Sequence, residues 1–392
     1  MLFDPPFRAW AEIDVQALSH NVRLLLAEYA AHGARAMLVV KANAYGHDVR
    51  IVIPVCRLLG ITDFAVATVE EGRIVRELAP DARIYLLTAA TWFEAPEVVK
   101  YRLISLVSNV ESAQAIADAA IGADAISEVH LDVDTGIGRA GVQPREVCAL
   151  FESVSKIRNI RITGIATHFA RADEDDDDAR YQHGLFLDVL QQLGSRAGGL
   201  EIHASNSPAA TVLGDAGYHS LVRPGLLTYG IEPRPGMLAG RSFRQVLSLR
   251  ARVLLCRDLP GGATVSYGRT YCVPPDGGRY ATIGIGYGDG VARSLSNVGQ
   301  VLIHGTRVPI CGRVCMDQLV VDVSHGPNVA VGDVATLLGT DGAETLVTGD
   351  VAELAGTTPH ELTTALLPRI PRVAVNEEWE SLGERESDIE HG

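Results

Sequence analysis

With 392 residues, 47% of them hydrophobic and 21% charged, the chain has a globular composition and the length of two domains. A formal net charge of −14 excludes nucleic acid as an electrostatic partner. No apolar run reaches the roughly 18–20 residues of a membrane helix, and Met1–Trp10 lacks the basic and apolar regions of a secretory signal, so a cytoplasmic protein is expected.

The first helix is expected over Val15–Leu26, where apolar residues recur at helical spacing behind Asp14 as N-cap. Eight short apolar, β-rich runs follow: Met37–Val40, Phe64–Thr68, Ile84–Leu87, Ile104–Val107, Glu128–Val133, Ile162–Thr167, Glu201–Ala204 and Leu221–Arg223. Helical patterns separate most of them. Alternating βα units give a parallel sheet, and eight is the count that closes a (β/α)8 barrel; an open doubly wound sheet, the alternative, normally has fewer strands.

Chemistry in such a barrel sits at the C-terminal ends of the strands. There the chain places Lys41 and Tyr45, Asp134–Arg139, His168, Ser205–Asn206–Ser207 and Arg223–Pro224–Gly225–Leu226. Lysine is scarce here, with only Lys41, Lys100 and Lys156, and Lys41 alone ends an apolar strand. A strand-end lysine can simply snorkel to water; it can also form a Schiff base with a carbonyl cofactor, since burial lowers the amine pKa. The Gly- and Ser-containing turns after the last two strands suit a phosphate site.

From about Arg244 the pattern changes to short strands, near Val246–Leu254, Val265, Ile283, Val301, Val308, Val320 and Val334, with helices at Thr348–Ala355 and Pro359–Leu366. Phe7–Glu12 reads as a strand donated back to this part. The expected organisation is a barrel over residues 11–243, a mostly β C-terminal domain from 244–376 together with 1–10, and a loose acidic tail over 377–392. The acidic run Asp173–Asp178 reads as a solvated loop. The six cysteines lack metal-binding spacing, so reduced thiols and no metal site are expected.

Several stretches together resemble the alanine racemase family: Ala11–Asp14, Val40-Lys41-Ala42-Asn43-Ala44-Tyr45-Gly46-His47, Asp134–Arg139, Ser266-Tyr267-Gly268-Arg269-Thr270, Gly286–Gly290 and Gly312–Asp317. The resemblance implies a fold-type III pyridoxal 5'-phosphate enzyme that interconverts L- and D-alanine and supplies D-alanine for peptidoglycan. It also implies a homodimer whose sites combine one chain's barrel with the partner's β domain. Lys41 would hold the cofactor and act as base on one face of the substrate Cα, with Tyr267 of the partner chain acting on the other face. Tyrosine titrates near 10, so work near neutrality needs about 3 units of help, which Arg223 acting through His168 would supply.

By the same resemblance Arg223 would contact the pyridine nitrogen, and Tyr45, Ser207, Gly225 and Leu226 the phosphate, with Asn206 beside them. Arg139 would hold the cofactor phenolate and the substrate carboxylate, and Met316, Asp317 and Tyr287 would complete the substrate pocket. Two positions depart from the family pattern. Asp132 stands where many members carry a carbamylated lysine that braces the arginine, and Pro368 stands where a phosphate-binding tyrosine is usual. These departures leave open a racemase of serine or broader specificity. A non-catalytic pyridoxal-phosphate carrier is the reading from another class, but such carriers lack a β domain.

Overall fold

The computed structural model describes residues 5–376 apart from 235, 238 and 239; the expected tail at 377–392 lies outside the described residues. All eight expected barrel strands are present, at Arg35–Val39, Asp63–Val66, Arg83–Leu86, Leu103–Val107, Ser127–Val133, Ile160–Thr167, Glu201–His203 and Leu221–Val222. Each pairs in parallel with the one before it as far as Glu201–His203. Leu221–Val222 returns to the first strand, with Arg35 opposite Leu221. The seam between the last two strands is a single bridge, Asn206 to Arg223, so the barrel is nearly closed.

The helices that wrap it carry their own stop and start signals. Asp14 caps Val15–Ala31 by accepting from the Ala17 amide at 2.8 Å. Val69–Leu78 opens with a capping box in which Thr68 and Glu71 satisfy each other's backbone amides. The acidic run is not all loop: Asp175 caps Asp176–Leu193, and three aspartates fill its first turn, where the helix dipole favours negative charge.

The second part is a nine-stranded sheet whose spine is the 13-residue strand Leu247–Leu259. Its first half alternates buried and half-buried positions, as a sheet with one covered face requires. A register shift between Val253 and Leu255 lets this one strand pair with Gly278–Ile283 at its far end and Val334–Asp341 at its near end. The donated N-terminal strand is Ala9–Asp14, antiparallel to the spine and parallel to Arg372–Val375. Because that strand runs directly into the first helix, the chain leaves the second sheet and enters the barrel with no linker. Asn21 adds a second tie, donating to the carbonyls of Thr228 and Arg244 and accepting from the Arg244 amide.

Candidate active site

Lys41 follows the first barrel strand, and the turn it opens has an unexpected hand. Ala42, Asn43, Ala44 and Tyr45 all adopt φ between +52° and +55°, a left-handed turn built from residues with side chains. Each such residue costs about 1–2 kcal/mol relative to right-handed geometry, so the turn persists only because its surroundings hold it. Glu71 accepts from the Ala42 amide at 2.7 Å and from the Ala67 amide at 2.8 Å. Asn43 accepts from the Val49 amide, and Arg372, from the second sheet, donates to the Gly46 carbonyl at 2.9 Å. A β-carbon on Gly46 would lie 2.2 Å from the Thr363 carbonyl oxygen, so only glycine closes the turn.

This turn aims Lys41 and Tyr45 into a cavity of about 250 Å³ that His168, Asn206, Ser207, Arg223, Gly225 and Leu226 also line. A second chamber of about 170 Å³ shares Lys41, His168 and Arg223 and adds Asp132 and Arg139. The nine cofactor residues read from the sequence are therefore brought together at one rim. Arg139 is held there by its loop: Asp134 accepts from the amides of Gly136 and Gly138, each at 3.0 Å, and Val142 donates back to the Asp132 carbonyl.

Charge in the cavity is mostly positive. Burial, with Arg139 and Arg223 nearby, lowers the pKa of Lys41, although Glu71 opposes the shift. Arg223 is buried and its pKa falls to about 10, so it remains a cation at neutral pH. Its Nη1 donates to His203 Nδ1 and to the His203 carbonyl, both at 2.8 Å; Nη2 reaches the carbonyls of Thr167 and Ala204 and His168 Nδ1. None of the described residues takes the Arg223 Nε–H. Burial, reinforced by Arg223, Arg139 and Lys41, drives His168 down to about 3, so its ring is neutral. Asp132 moves the other way: burial raises it to about 6 against the pull of Arg223 and Arg139. No hydrogen bond joins Asp132 to Arg139 among the described residues.

These residues fit an anionic ring cofactor. The Tyr45 hydroxyl has no described protein partner, and burial raises its pKa, so it stays a phenol able to donate. A β-carbon on Gly225 would stand 2.7 Å from that hydroxyl, so the bare backbone keeps the space open beside it. The Gly225 amide donates to Ser207 Oγ at 3.1 Å, completing a small cradle of polar groups.

The other sequence-predicted residues lie elsewhere. Tyr267 (71% exposed), Tyr287 and Met316 are on the β part and line neither chamber of their own chain. They share one face: the amides of Tyr287 and Gly288 donate to the carbonyls of Cys315 and Met316, and Ser266 Oγ donates to the Arg313 carbonyl. Arg369 pins this face by donating to Asp317 at 2.8 Å and pairing with buried Asp289 at 2.7 Å.

Sequence reading missed three participants. Glu71 is hidden inside a helix start, and only the fold shows that it also holds the lysine turn. His203 could have been found by noting that it ends the seventh strand. His360 reaches the cavity from the second part, with its ring 5.8 Å from that of Tyr45, and no pattern signals this. Pro368 does not line the cavity.

An acceptor for the Lys41 amine, carrying a phosphate for the Tyr45–Gly225 cradle, is what this rim accommodates. That is the design of barrel enzymes that work through a lysine-tethered pyridoxal group. Residues 13–233 match the model of the alanine racemase N-terminal domain, and residues 246–374 match that of the alanine racemase C-terminal domain. The alanine racemase of Halothermothrix orenii is 38% identical over 368 residues, spanning 93% of this chain and 96% of that protein. The crystal structure of alanine racemase from D-cycloserine-producing Streptomyces lavendulae superposes with a TM-score of 0.87 at 32% identity, covering 96% of this chain and 99% of that one. The enzyme from Bartonella henselae, solved with covalently bound pyridoxal phosphate, matches at TM-score 0.84 and 28% identity over 94% of this chain and all of that one. This chain belongs to the alanine racemase family, whose members are pyridoxal-phosphate-dependent isomerases.

Proposed function

We propose that this enzyme interconverts L- and D-alanine by proton transfer on two opposite faces of the substrate Cα, with Lys41 serving one face and a partner chain's Tyr267 the other. The observation that carries the division of labour is the separation within one chain: Lys41 lies at the barrel rim, and Tyr267 lies exposed on the β part. A second copy of the chain, docking its β face over the rim, would complete the site.

The pyridoxal group, when bound, supplies the electron sink that acidifies the substrate α-proton. The rest falls to the chain. Lys41 would tether the cofactor and would take or return the substrate α-proton at its Nζ; its lowered pKa leaves more of the amine unprotonated for this. Tyr45, Ser207 and the Gly225–Leu226 backbone, with Asn206 alongside, hold the phosphate. Arg223 would face the ring nitrogen as a donor that keeps its own proton, which would leave the sink weak and favour reprotonation over side reactions. Arg139 takes the substrate carboxylate, and Met316, Asp317 and Tyr287 of the partner close the pocket around a small side chain. Within this reading the enzyme acts in the cytoplasm and supplies D-alanine for peptidoglycan. No described helix is long and apolar enough to cross a membrane.

Mixing two inactive variants tests the shared site. Lys41→Ala and Tyr267→Phe proteins, co-refolded or co-expressed, place both defects in one site of a mixed dimer and leave the other site intact. Recovered racemisation supports the arrangement; none, with mixed dimers demonstrated, overturns it.

A further inference from the structure

The barrel interior holds a row of polar groups that runs from the catalytic rim to the opposite, closed end. Arg223 Nη1 lies 2.8 Å from His203 Nδ1, and His203 Nε2 lies 2.9 Å from His130 Nδ1. His130 Nε2 then lies 3.5 Å from Glu201 Oε2, an electrostatic contact and not a formed hydrogen bond, and it has no other partner among the described residues. Both imidazoles are fully buried. At the closed end Glu201 also accepts from Arg35 at 2.7 Å, from Arg83 at 3.0 Å and from Tyr85, which donates toward both Glu201 and Asp63. These residues stand at or near the starts of their strands, remote from the rim.

The row has only one possible direction. A guanidinium donates and never accepts, so His203 must receive at Nδ1 and carry its proton on Nε2. His130 must then receive at Nδ1 in turn, which puts its proton on Nε2, facing the carboxylate. Every dipole therefore points the same way, with a cation at the rim and an anion at the base. Space for the crossing is made at Gly164, in the middle of the sixth strand: a β-carbon there would lie 2.4 Å from His130 Cε1 and 2.5 Å from Nδ1. A glycine inside a strand costs stability, and here it makes room for the His130 imidazole.

We propose that Glu201 and His130 are positioning residues for Arg223: through His203 they hold the guanidinium charged and turned so that its remaining N–H serves the cofactor ring. The inference rests on the reading that Arg223 faces that ring. The row works as a fixed dipole rather than a proton conduit. Shifting every proton one place toward Glu201 would leave a neutral guanidine and a protonated carboxyl. The ends resist this: burial raises Glu201, but His130, Arg35 and Arg83 together hold it well below the usual carboxylate range, while Arg223 remains protonated at neutral pH. Burial also lowers the pKa of both imidazoles, with Arg223 adding to the effect at His203 and Glu201 opposing it at His130.

The test uses holoenzyme with five single variants. In His130→Leu the row is broken but the volume is filled. In His130→Gln the amide oxygen can accept from His203 and the amide N–H can donate to Glu201, so the row is rebuilt. Expected is a fall in kcat of about tenfold for His130→Leu, equivalent to one unit of altered acidity at Arg223, with KM little changed and the cofactor absorption band shifted. His130→Gln should recover most of the loss. Glu201→Gln keeps the shape of the base while removing its charge; it should lower kcat and move the His130 ring signals in 1H–15N spectra, which in the native enzyme should report Nε2–H tautomers for His130 and His203. Arg35→Gln, which strips an ion pair from Glu201 but leaves the row, should lower Tm without lowering kcat. Native-like kcat in His130→Leu, a glutamine no better than leucine, or Arg35→Gln matching Glu201→Gln in kcat would each overturn the proposal. If Arg223→Lys leaves kinetics and absorption unchanged, the reading of Arg223 itself fails and this proposal falls with it.

Discussion

Arg223 Nη2 and His168 Nδ1 stand 3.1 Å apart, and because the guanidinium can only donate, the proton of the neutral imidazole must sit on Nε2. His168 is therefore a donor at the rim, polarised from behind by a permanent cation. If Arg223 and His168 act together on the partner's Tyr267, as we propose, Arg223 would supply the charge and His168 would be its uncharged extension.

Replacing His168 by Ala removes that extension while leaving Arg223 in place. The pH–rate profile should then shift its alkaline limb by about one unit, with kcat down roughly 10- to 100-fold and substrate KM little altered. Measuring kcat/KM in both directions from pH 6 to 11 checks this; a limb that stays put would remove His168 from the proton path.

Gly225→Ala should weaken cofactor binding by steric conflict with a single atom, since the new methyl group would meet the Tyr45 hydroxyl at 2.7 Å. Titration of apoenzyme with pyridoxal phosphate should give an affinity loss of about tenfold or more, the worth of one good hydrogen bond. Tyr45→Phe removes that oxygen and its own phosphate contact, but adding Gly225→Ala to it should cost far less than in the native background. Additive losses would mean that the two positions do not meet.

Glu71→Ala removes the carboxylate that ties the Ala42 amide of the left-handed turn to the Ala67 amide, and also unmakes the capping box at Thr68. The expected loss is about 1–3 kcal/mol of stability, seen as a lower Tm, together with slower cofactor capture because Lys41 is no longer presented. Glu71→Gln, which keeps one acceptor oxygen, should lie between the two.

Asp132 carries a stability cost that reverses with pH. Its folded pKa, raised to about 6 by burial, lies above the usual carboxylate value, so folding favours the protonated form. The stabilisation by that proton is complete below the unfolded pKa near 4 and is lost as pH rises through about 6. Asp132→Asn should accordingly leave stability unchanged near pH 4 and raise it by roughly 1–3 kcal/mol at pH 7.5, seen as a higher Tm. Substrate KM should rise in the same variant, because the chamber beside Arg139 loses the only carboxylate that lines it among the described residues. Thermal melts at the two pH values and a KM series decide it.

Much of the barrel was legible because its signals are local. Buried parallel strands must be apolar through their length, so Phe64–Val66 or Leu103–Val107 stand out against polar helix faces, and Asp14 announces a helix by what its carboxylate can reach. The rim residues were legible for a related reason: the end of a strand is a position in the sequence as well as in space. Lys41, His168 and Arg223 could thus be placed before any contact was known.

The rest depended on groups far apart in the chain. Nothing local shows that Lys41–Tyr45 would coil left-handed, because that geometry is disfavoured in isolation and is imposed by Glu71, Arg372 and Thr363. Periodicity could not show that His130, Glu201 and Arg223 would align across the barrel, nor that His360 would turn in from the β part. Sequence determined which residues ride on which strand ends, through burial and capping that act over a few neighbours. Tertiary structure alone decided which of them touch, since hydrogen bonds and ion pairs between distant strands exist only once closure of the barrel sets their distances.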